Sequence, residues 1–178
     1  MSQAPDAFGE LTRDGDAVDV RLTMNYDVAA ENLWQAITTA SHLASWFATV
    51  EGELTEGGRC HVVFNEDNPE QRINGTIEEC VTAQRLVLGW EMESHPDSTV
   101  IAELSDAGSP GSGPGTTLVL EHLRMRDDTA AAYAAGWQAY LEALEGHLAG
   151  RTDIKDRWET RWQALLPVYL HSVSELQH

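Results

Sequence analysis

The chain has 178 residues, of which 42% are hydrophobic and 22% are charged, and these proportions are typical of one folded domain and exclude global disorder and fibrous repeats. Its 29 acidic and 11 basic residues give a formal charge of −18, which opposes binding to nucleic-acid phosphates and to anionic membrane surfaces. No signal-peptide pattern and no apolar run of membrane-spanning length is present, so we expect a cytoplasmic protein.

The first part of the chain predicts a flexible leader and then a strand. Residues 1–15 are polar, contain Pro5 and Gly9, and show no sustained period. From residue 18 onward, apolar and polar residues alternate without interruption, which predicts a strand with one buried face. The residues of that face are Val18, Val20, Leu22, Met24 and Tyr26.

Two helices are predicted next. Asp27 can cap a helix that runs to about Thr38, because its carboxylate can accept hydrogen bonds from the free N–H groups of a first turn. Residues 41–47 predict a short second helix that ends in two large aromatic residues, Trp46 and Phe47. The apolar stripe of the first helix consists of Ala30, Leu33, Trp34 and Ile37.

The middle of the chain predicts consecutive strands. Alternation and turn residues place them at 49–54, 59–64, 73–81, 85–92, 99–104 and 116–123. A run of Ser, Pro and Gly within residues 105–115 predicts a flexible hairpin loop. Because these strands follow one another without intervening helices, we expect an antiparallel sheet.

The last part of the chain predicts a long helix and an additional helical segment. The acidic start at Asp127 and Asp128 favours a helix that runs to about Ala149. A second amphipathic segment begins at Asp153, and Pro167 is expected to kink or stop it. This tail either packs back on its own domain or forms a surface for a partner or a homodimer. Its apolar stripe consists of Ile154, Trp158, Trp162, Leu165 and Leu166.

The order of elements predicts an α+β fold. A curved antiparallel sheet of about six or seven strands must bury one face, and the long helix supplies a surface that can cover it. The predicted architecture is therefore a sheet wrapped on a long C-terminal helix, with a helical extension after it.

Several segments, in this order, resemble the family named for the activator of the heat-shock-protein-90 ATPase, within the START-related SRPBCC superfamily. The resemblance extends over residues 18–149 and implies a helix-grip fold. The matching segments are the opening helix VAAENLWQAI at 28–37, the short helix with its Trp-Phe pair at 41–47, the turn EGGR at 56–59, GTIEE at 75–79, RLVLGW at 85–90 and the late strand GTTLVLEH at 115–122.

The resemblance also implies an internal cavity for a hydrophobic or amphipathic small molecule. Together with the local patterns, it divides the chain into a flexible leader at 1–15, a START-related SRPBCC domain at 16–150 and a helical C-terminal extension at 151–178 that lies outside the family pattern. The superfamily includes lipid carriers, cyclases, hormone sensors and co-chaperone domains, so the fold does not choose the function.

Aromatic residues on the buried phases are the candidate lining of this cavity. Each of them can instead be ordinary core packing, since aromatic side chains contribute heavily to burial. His122 follows the buried phase of its strand, where it is either a satisfied core histidine or a polar contact for a ligand. The candidate ligand-binding residues are Trp34, Trp46, Phe47, Phe64, Trp90, His122, Tyr133 and Trp137.

No metal site, cofactor site or catalytic residue is predicted. The histidines lack the spacing of a metal-binding motif, and Ser112 lies in a Gly-Pro loop without the strand-turn-helix context of a nucleophile. Cys60 and Cys80 lack the spacing of redox or zinc motifs, so we expect them to be reduced packing residues.

Three functions are consistent with the sequence. The first is non-catalytic binding of a hydrophobic small molecule in the internal cavity. The second is a protein-interaction or chaperone-associated module that acts through the acidic surface and residues 151–178. The third is a cyclase- or hydrolase-like enzyme that uses the same cavity, with His122 as its base.

Overall fold

The computed structural model describes residues 8–65, 67–68, 72–92, 95, 97–108 and 113–176. Eight strands and four helices are formed by these residues. In chain order the elements are β1 (Glu10–Asp14), β2 (Ala17–Tyr26), α1 (Ala30–Thr38), α2 (Ala40–Trp46), β3 (Thr49–Gly52), β4 (Arg59–Val63), β5 (Arg72–Val81), β6 (Arg85–Glu91), β7 (Ser98–Asp106), β8 (Thr116–Met125), α3 (Asp127–Leu148) and α4 (Ile154–Glu175).

The strands form one antiparallel sheet in the order β1-β2-β8-β7-β6-β5-β4-β3. Strand β2 pairs with β8, which brings the two ends of the predicted domain together, and α1 and α2 connect β2 to the far edge at β3. The predicted α+β fold with a curved antiparallel sheet on a long helix is confirmed. The strand count is eight, slightly more than the six or seven expected.

The additional strand is β1, which lies in the predicted flexible leader. Residues 10–14 pair with β2 across a tight turn in which Gly15 has a φ of +62°. The leader prediction is therefore wrong for these residues, and residues 1–7 lie outside the described part of the chain. The strand was missed because Leu11 is its one apolar residue, so no alternation marks it, and its backbone bonds to β2 specify it instead.

Helix α3 crosses the sheet and forms the centre of the core. Alanines 130, 131, 134, 135 and 139 are almost fully buried, and these small side chains let neighbouring elements approach the helix closely. Tyr26 on β2 donates a hydrogen bond to the carbonyl of Leu141 over 2.8 Å. Because the sheet covers one side of α3 and α4 covers another, the helix is buried on more than one face.

Helix α4 packs back against α3 and continues past Pro167 to Glu175. The sequence predicted that Pro167 would kink or stop this segment, and the stop is wrong because the helix continues past the proline. A proline removes one backbone donor from a helix, and here the residues after it, Tyr169 and Val173, are buried in the core and hold the next turns in place. Trp162 Nε1 donates to the carbonyl of Ala132 over 3.0 Å, which fixes α4 on α3.

Two other features follow from the described part of the chain. The flexible hairpin loop predicted at 105–115 includes residues 109–112, which lie outside it, so that prediction stays open. Among the described helices, none combines the length and the apolar composition that crossing a membrane requires.

Candidate ligand-binding site

An apolar cavity of about 120 Å³ lies between the concave face of the sheet and helices α1, α2 and α3. We call it the inner cavity. A cavity of about 150 Å³ with a similar lining is large enough to bind benzene. The lining residues are Ile37, Thr38, Leu43, Trp46, Phe47, Val50, Leu54, Cys60, Val62, Ile77, Cys80, Leu86, Leu88, Trp90, Val100, Ala102, Leu118, Leu120, Trp137 and Leu141.

The two cysteines are part of this apolar wall. Burial raises the pKa of the Cys60 thiol and is also the main cause that raises the pKa of Cys80, with Glu56 as a second cause. Both thiols are free and favour the protonated form, in which cysteine behaves as a small hydrophobic residue. Gly75 lies opposite Cys60 in the sheet, and a Cβ there would be 2.7 Å from Cys60 Sγ, so the glycine makes room for the thiol.

A second, more open space of about 400 Å³ lies outside the inner cavity, between the sheet, α3 and α4. We call it the aromatic groove. Two pairs of rings in its wall are stacked: Phe47 with Trp137 at 5.7 Å and 13°, and Trp158 with Trp162 at 6.0 Å and 12°. The lining residues are Phe47, Phe64, Trp90, Ala132, Tyr133, Gly136, Trp137, Tyr140, Trp158 and Trp162.

Three rings belong to both spaces. Phe47, Trp90 and Trp137 line the inner cavity on one side and the aromatic groove on the other. Trp90 and Trp137 contact each other edge to face, with their centroids 5.5 Å apart. The positions of these rings therefore decide how far the two spaces are separated.

His122 is completely buried and is bonded through both ring nitrogens. Trp137 Nε1 lies 3.0 Å from His122 Nδ1, and Ser98 Oγ lies 2.8 Å from His122 Nε2. Because an indole N–H can only donate, Nδ1 must accept. The neutral ring therefore carries its proton on Nε2, and this N–H donates a hydrogen bond to Ser98 Oγ. Ser98 in turn donates to the carbonyl of Trp90 over 3.2 Å.

These hydrogen bonds indicate a structural role for His122. Desolvation by burial lowers the pKa of His122 from 6.5 to about 3, so the ring is neutral at neutral pH. Its one free lone pair already accepts from Trp137, which leaves it poorly placed to take a proton from a substrate. The bonds instead connect Trp90 on β6 to Trp137 on α3, and Trp90 Nε1 also donates to Tyr133 Oη over 3.1 Å.

The structure brings most of the predicted site residues together. Phe47, Phe64, Trp90, Tyr133 and Trp137 line the aromatic groove, and Phe47, Trp90 and Trp137 also line the inner cavity together with Trp46.

Three residues depart from the predicted arrangement. Trp34 is buried in the core and lines neither space, and His122 lies behind the shared wall. Phe64 was predicted on a buried phase, but it follows the last residue of β4 and is 43% exposed at the rim of the groove.

The small groove residues Ala132 and Gly136 were not predicted as lining, and neither were three aromatic residues: Tyr140, Trp158 and Trp162. Their helical stripes were visible in the sequence. What the pattern could not give is the fold-back of α4 onto α3, which places Trp158 4.8 Å from Tyr140 between ring centroids. Elsewhere among the described residues, no three His, Cys, Asp or Glu side chains come together as a metal site.

Comparison with known proteins gives a consistent picture. The family model described as "Activator of Hsp90 ATPase homolog 1-like protein" matches residues 27–149. The crystal structure of CalU16 from Micromonospora echinospora is 26% identical with a TM-score of 0.70, and the alignment covers 90% of this chain and 96% of CalU16. No curated protein matches the sequence.

Two further solved structures share the fold at lower identity. A conserved protein of unknown function, EF2215 from Enterococcus faecalis, is 15% identical with a TM-score of 0.75 over 96% of this chain and 92% of its own. The Aha1 dimer from Colwellia psychrerythraea is 14% identical with a TM-score of 0.60 over 72% of this chain and 93% of its own.

Proposed function

The chain belongs to the family of Activator of Hsp90 ATPase homolog 1-like proteins, and from the apolar interior of this member we propose that it binds a hydrophobic small molecule in the inner cavity without catalysing a reaction. The observation that carries the proposal is the cavity itself. Its walls are almost entirely aliphatic, aromatic or thiol side chains, which match an apolar ligand.

The energetic cost of an open cavity supports this proposal. Protein interiors are close-packed, so contacts that fill a space of about 120 Å³ are worth roughly 3 kcal/mol at about 24 cal/mol per Å³. A ligand of matching size restores the missing contacts.

The test uses toluene as an apolar probe and the Cys60 thiol as a reporter. In a Cys80→Ser background, toluene is expected to slow alkylation of Cys60 several-fold and to raise the melting temperature, because a filled cavity excludes the reagent and stabilises the native state. The matched control is Ala102→Leu, which fills the cavity from β7 and should remove both effects. If saturating toluene changed neither the alkylation rate of Cys60 nor the melting temperature of the Cys80→Ser protein, the proposal would be contradicted.

A second candidate is an interaction module that acts through α4, as a homodimer or with a protein partner. The observation that favours it is Leu170, which is 54% exposed on the outer face of α4. The inner face of the helix is covered by α3, so only this outer face is available. Sedimentation of the parent and of Leu170→Glu at several concentrations tests for the homodimer, and equal monomeric behaviour of both would exclude it.

An enzymatic role through His122 is disfavoured by geometry. Its ring is bonded to Ser98 and Trp137, and burial lowers its pKa to about 3. Unchanged turnover of His122→Ala, in any assay that detects turnover, would exclude His122 as a base.

A further inference from the structure

The inner cavity extends along β6, whose Leu86, Leu88 and Trp90 all line it, and its two ends are closed by different parts of the chain. At the Leu86 end lies the turn that connects β3 to β4, with Leu54 in the cavity wall. At the Trp90 end lie the three rings that the cavity shares with the aromatic groove. We call these the turn end and the ring end. The end with the weaker closure is the easier entrance for a ligand.

Hydrogen bonds close the turn end. The N–H of Gly57 donates to the carbonyl of Ile77 over 2.7 Å, and the N–H of Ile77 donates to the carbonyl of Gly58 over 2.9 Å. The N–H of Cys80 donates to the carboxylate of Glu56 over 3.0 Å. These three bonds must break together before the turn can move away from β5, so opening at this end is expected to be rare.

Hydrogen bonds also hold two of the three rings at the ring end. Trp90 Nε1 donates to Tyr133 Oη over 3.1 Å, and Trp137 Nε1 donates to His122 Nδ1 over 3.0 Å. The third ring, Phe47, has no polar atom in its side chain, so only nonpolar contacts such as its stack on Trp137 keep it in place. Of the shared wall, Phe47 is therefore the part that can move without breaking a hydrogen bond.

The position of Phe47 in the chain also allows its ring to turn. It lies in the two-residue connection between α2, which ends at Trp46, and β3, which begins at Thr49. Its N–H donates to the carbonyl of Leu43 over 2.8 Å, so the backbone stays attached to α2 when the side chain changes rotamer. Phe47 lines the groove and also a further open recess of about 260 Å³, and these two spaces provide room for the displaced ring.

We propose that Phe47 is the gate of the inner cavity. Its ring turns outward, and a hydrophobic molecule then passes from the aromatic groove, between Phe47 and Trp137, into the cavity. The aromatic groove is thus the entrance, where ring contacts hold an apolar molecule before it moves inward. This proposal rests on the proposed function, because it assumes that the inner cavity is the site that the ligand reaches.

The experiment measures how fast iodoacetamide alkylates Cys60, which is 3% exposed and lines the inner cavity. The background is Cys80→Ser, and low concentrations of urea separate two routes. Alkylation through global unfolding accelerates steeply with urea, whereas alkylation through a small local opening does not. Phe47→Ala is expected to raise the urea-independent rate at least tenfold. An unchanged rate would overturn the proposal.

Two control variants test whether enlargement of the cavity or the turn end explains a faster reaction. Leu120→Ala enlarges the cavity away from the ring end, since Leu120 pairs with Ala102, which pairs with Leu86. Leu54→Ala truncates a side chain at the turn end, where the backbone bonds remain. Both should change the rate by less than about twofold. If either variant matched the acceleration of Phe47→Ala, the gate assignment would be wrong.

The route through the groove needs its own variant. Among the residues that the structure describes, Ala132 belongs to the lining of the groove and not to that of the inner cavity. Ala132→Leu narrows the groove and should slow the alkylation of Cys60 at least threefold, whereas the matched control Ala132→Ser should keep the parent rate. Equal rates in the leucine and serine variants would mean that molecules reach Cys60 by another route.

The gate and the proposed function can fail separately. If toluene fails to protect Cys60 but Phe47→Ala still accelerates its alkylation, binding in the cavity is refuted while the gate is supported. If toluene protects Cys60 but Phe47→Ala and Ala132→Leu both react at the parent rate, the gate is refuted while binding in the cavity is supported.

Discussion

The inner cavity and the aromatic groove share three rings but are built by different parts of the chain. The inner cavity lies within the helix-grip domain and has walls of sheet residues and of residues from α1, α2 and α3. The groove needs α4, which follows the family match, to complete its outer wall. The comparison shows how a tail that packs into the core of an existing fold also encloses a second space, lined mainly by aromatic residues.

The two spaces also depend on different interactions. The inner cavity is supported by the hydrophobic core, whereas α4 is attached by polar contacts as well as packing. Arg161 donates two hydrogen bonds to Glu142 at 2.6 and 2.9 Å, and Tyr169 donates to Gln138 at 2.5 Å. Gly9 N–H donates to Tyr169 Oη at 2.8 Å, so the residue that precedes β1 is linked to α4 through the same side chain.

The largest effect is expected from Leu141→Ala. Leu141 is 1% exposed and lines the inner cavity, so the change enlarges an existing cavity and should lower the free energy of unfolding by about 3 kcal/mol. Urea unfolding followed by circular dichroism measures it. The matched control is Leu170→Ala on the exposed face of α4, expected to stay within about 0.5 kcal/mol. Similar losses of stability in Leu141→Ala and Leu170→Ala would contradict the difference in burial between the core position and the exposed face of α4.

The next effect concerns the attachment of α4. Tyr169→Phe keeps the buried ring but removes the hydroxyl that bonds Gln138 and Gly9, which should cost about 2 kcal/mol. Hydrogen exchange should become faster in α4 and β1, while β7 and β8 keep their protection until global unfolding. Uniform acceleration throughout the sheet would instead mean that α4 and the core open as one unit.

Acid is expected to weaken the wall between the two spaces. The unfolded state takes up a proton on His122 near pH 6.5, but burial prevents this in the native state until about pH 3. The contribution of neutral His122 to the free energy of unfolding is therefore complete above pH 6.5. It falls by about 1.4 kcal/mol per pH unit as the pH decreases towards 3. Burial, with the neighbouring His42 as a second cause, lowers the pKa of His147 as well, which adds a loss of the same sign.

The measurement is the free energy of unfolding of the parent and of His122→Asn between pH 7 and 4. The free energy of unfolding of the variant should depend on pH less steeply than that of the parent, by up to about 1.4 kcal/mol per pH unit, whatever the stability of the variant at pH 7. If the stabilities of the two proteins fell in parallel with decreasing pH, His122 would take up its proton at the same pH in the native and unfolded states. That result would contradict its bonds with Trp137 and Ser98.

The smallest effects come from two glycines of α3 that face α4. Gly136→Ala should stabilise the protein by about 0.5–1 kcal/mol, because alanine favours the helix and the added Cβ meets Trp158 at an ordinary distance. Gly146→Ala should destabilise it, because its Cβ would lie 2.6 Å from Cγ2 of the buried Ile154 at the start of α4. Thermal melts compare the two, and shifts of the same sign would contradict the close approach at Gly146.

Local patterns predicted much of the domain. The alternation from Val18 to Tyr26 identified the buried face of β2, and Val18, Val20, Leu22 and Tyr26 are indeed in the core. The burial of His122 followed from the same period on β8. Such predictions succeed because a strand has a fixed period of two, so one buried face appears directly in the sequence.

Contacts between distant segments were not predictable in this way. Five of the predicted lining residues meet in the groove, but Trp158 and Trp162 on α4 were missing from the prediction because the period of the tail does not show in which direction the tail packs. The bond from Trp137 to His122 joins residues on α3 and β8 and depends on how the helix crosses the sheet.

By itself the sequence determined the fold class, the order of most elements and the faces that are buried, because these follow from the hydrophobic period of each segment. Only the tertiary structure decided that β1 is a strand, that α4 passes Pro167 and returns along α3, and that the aromatic residues enclose two spaces with one shared wall. The physical reason is that a period shows which side chains avoid water, while a cavity depends on the distances between segments that are far apart in the chain.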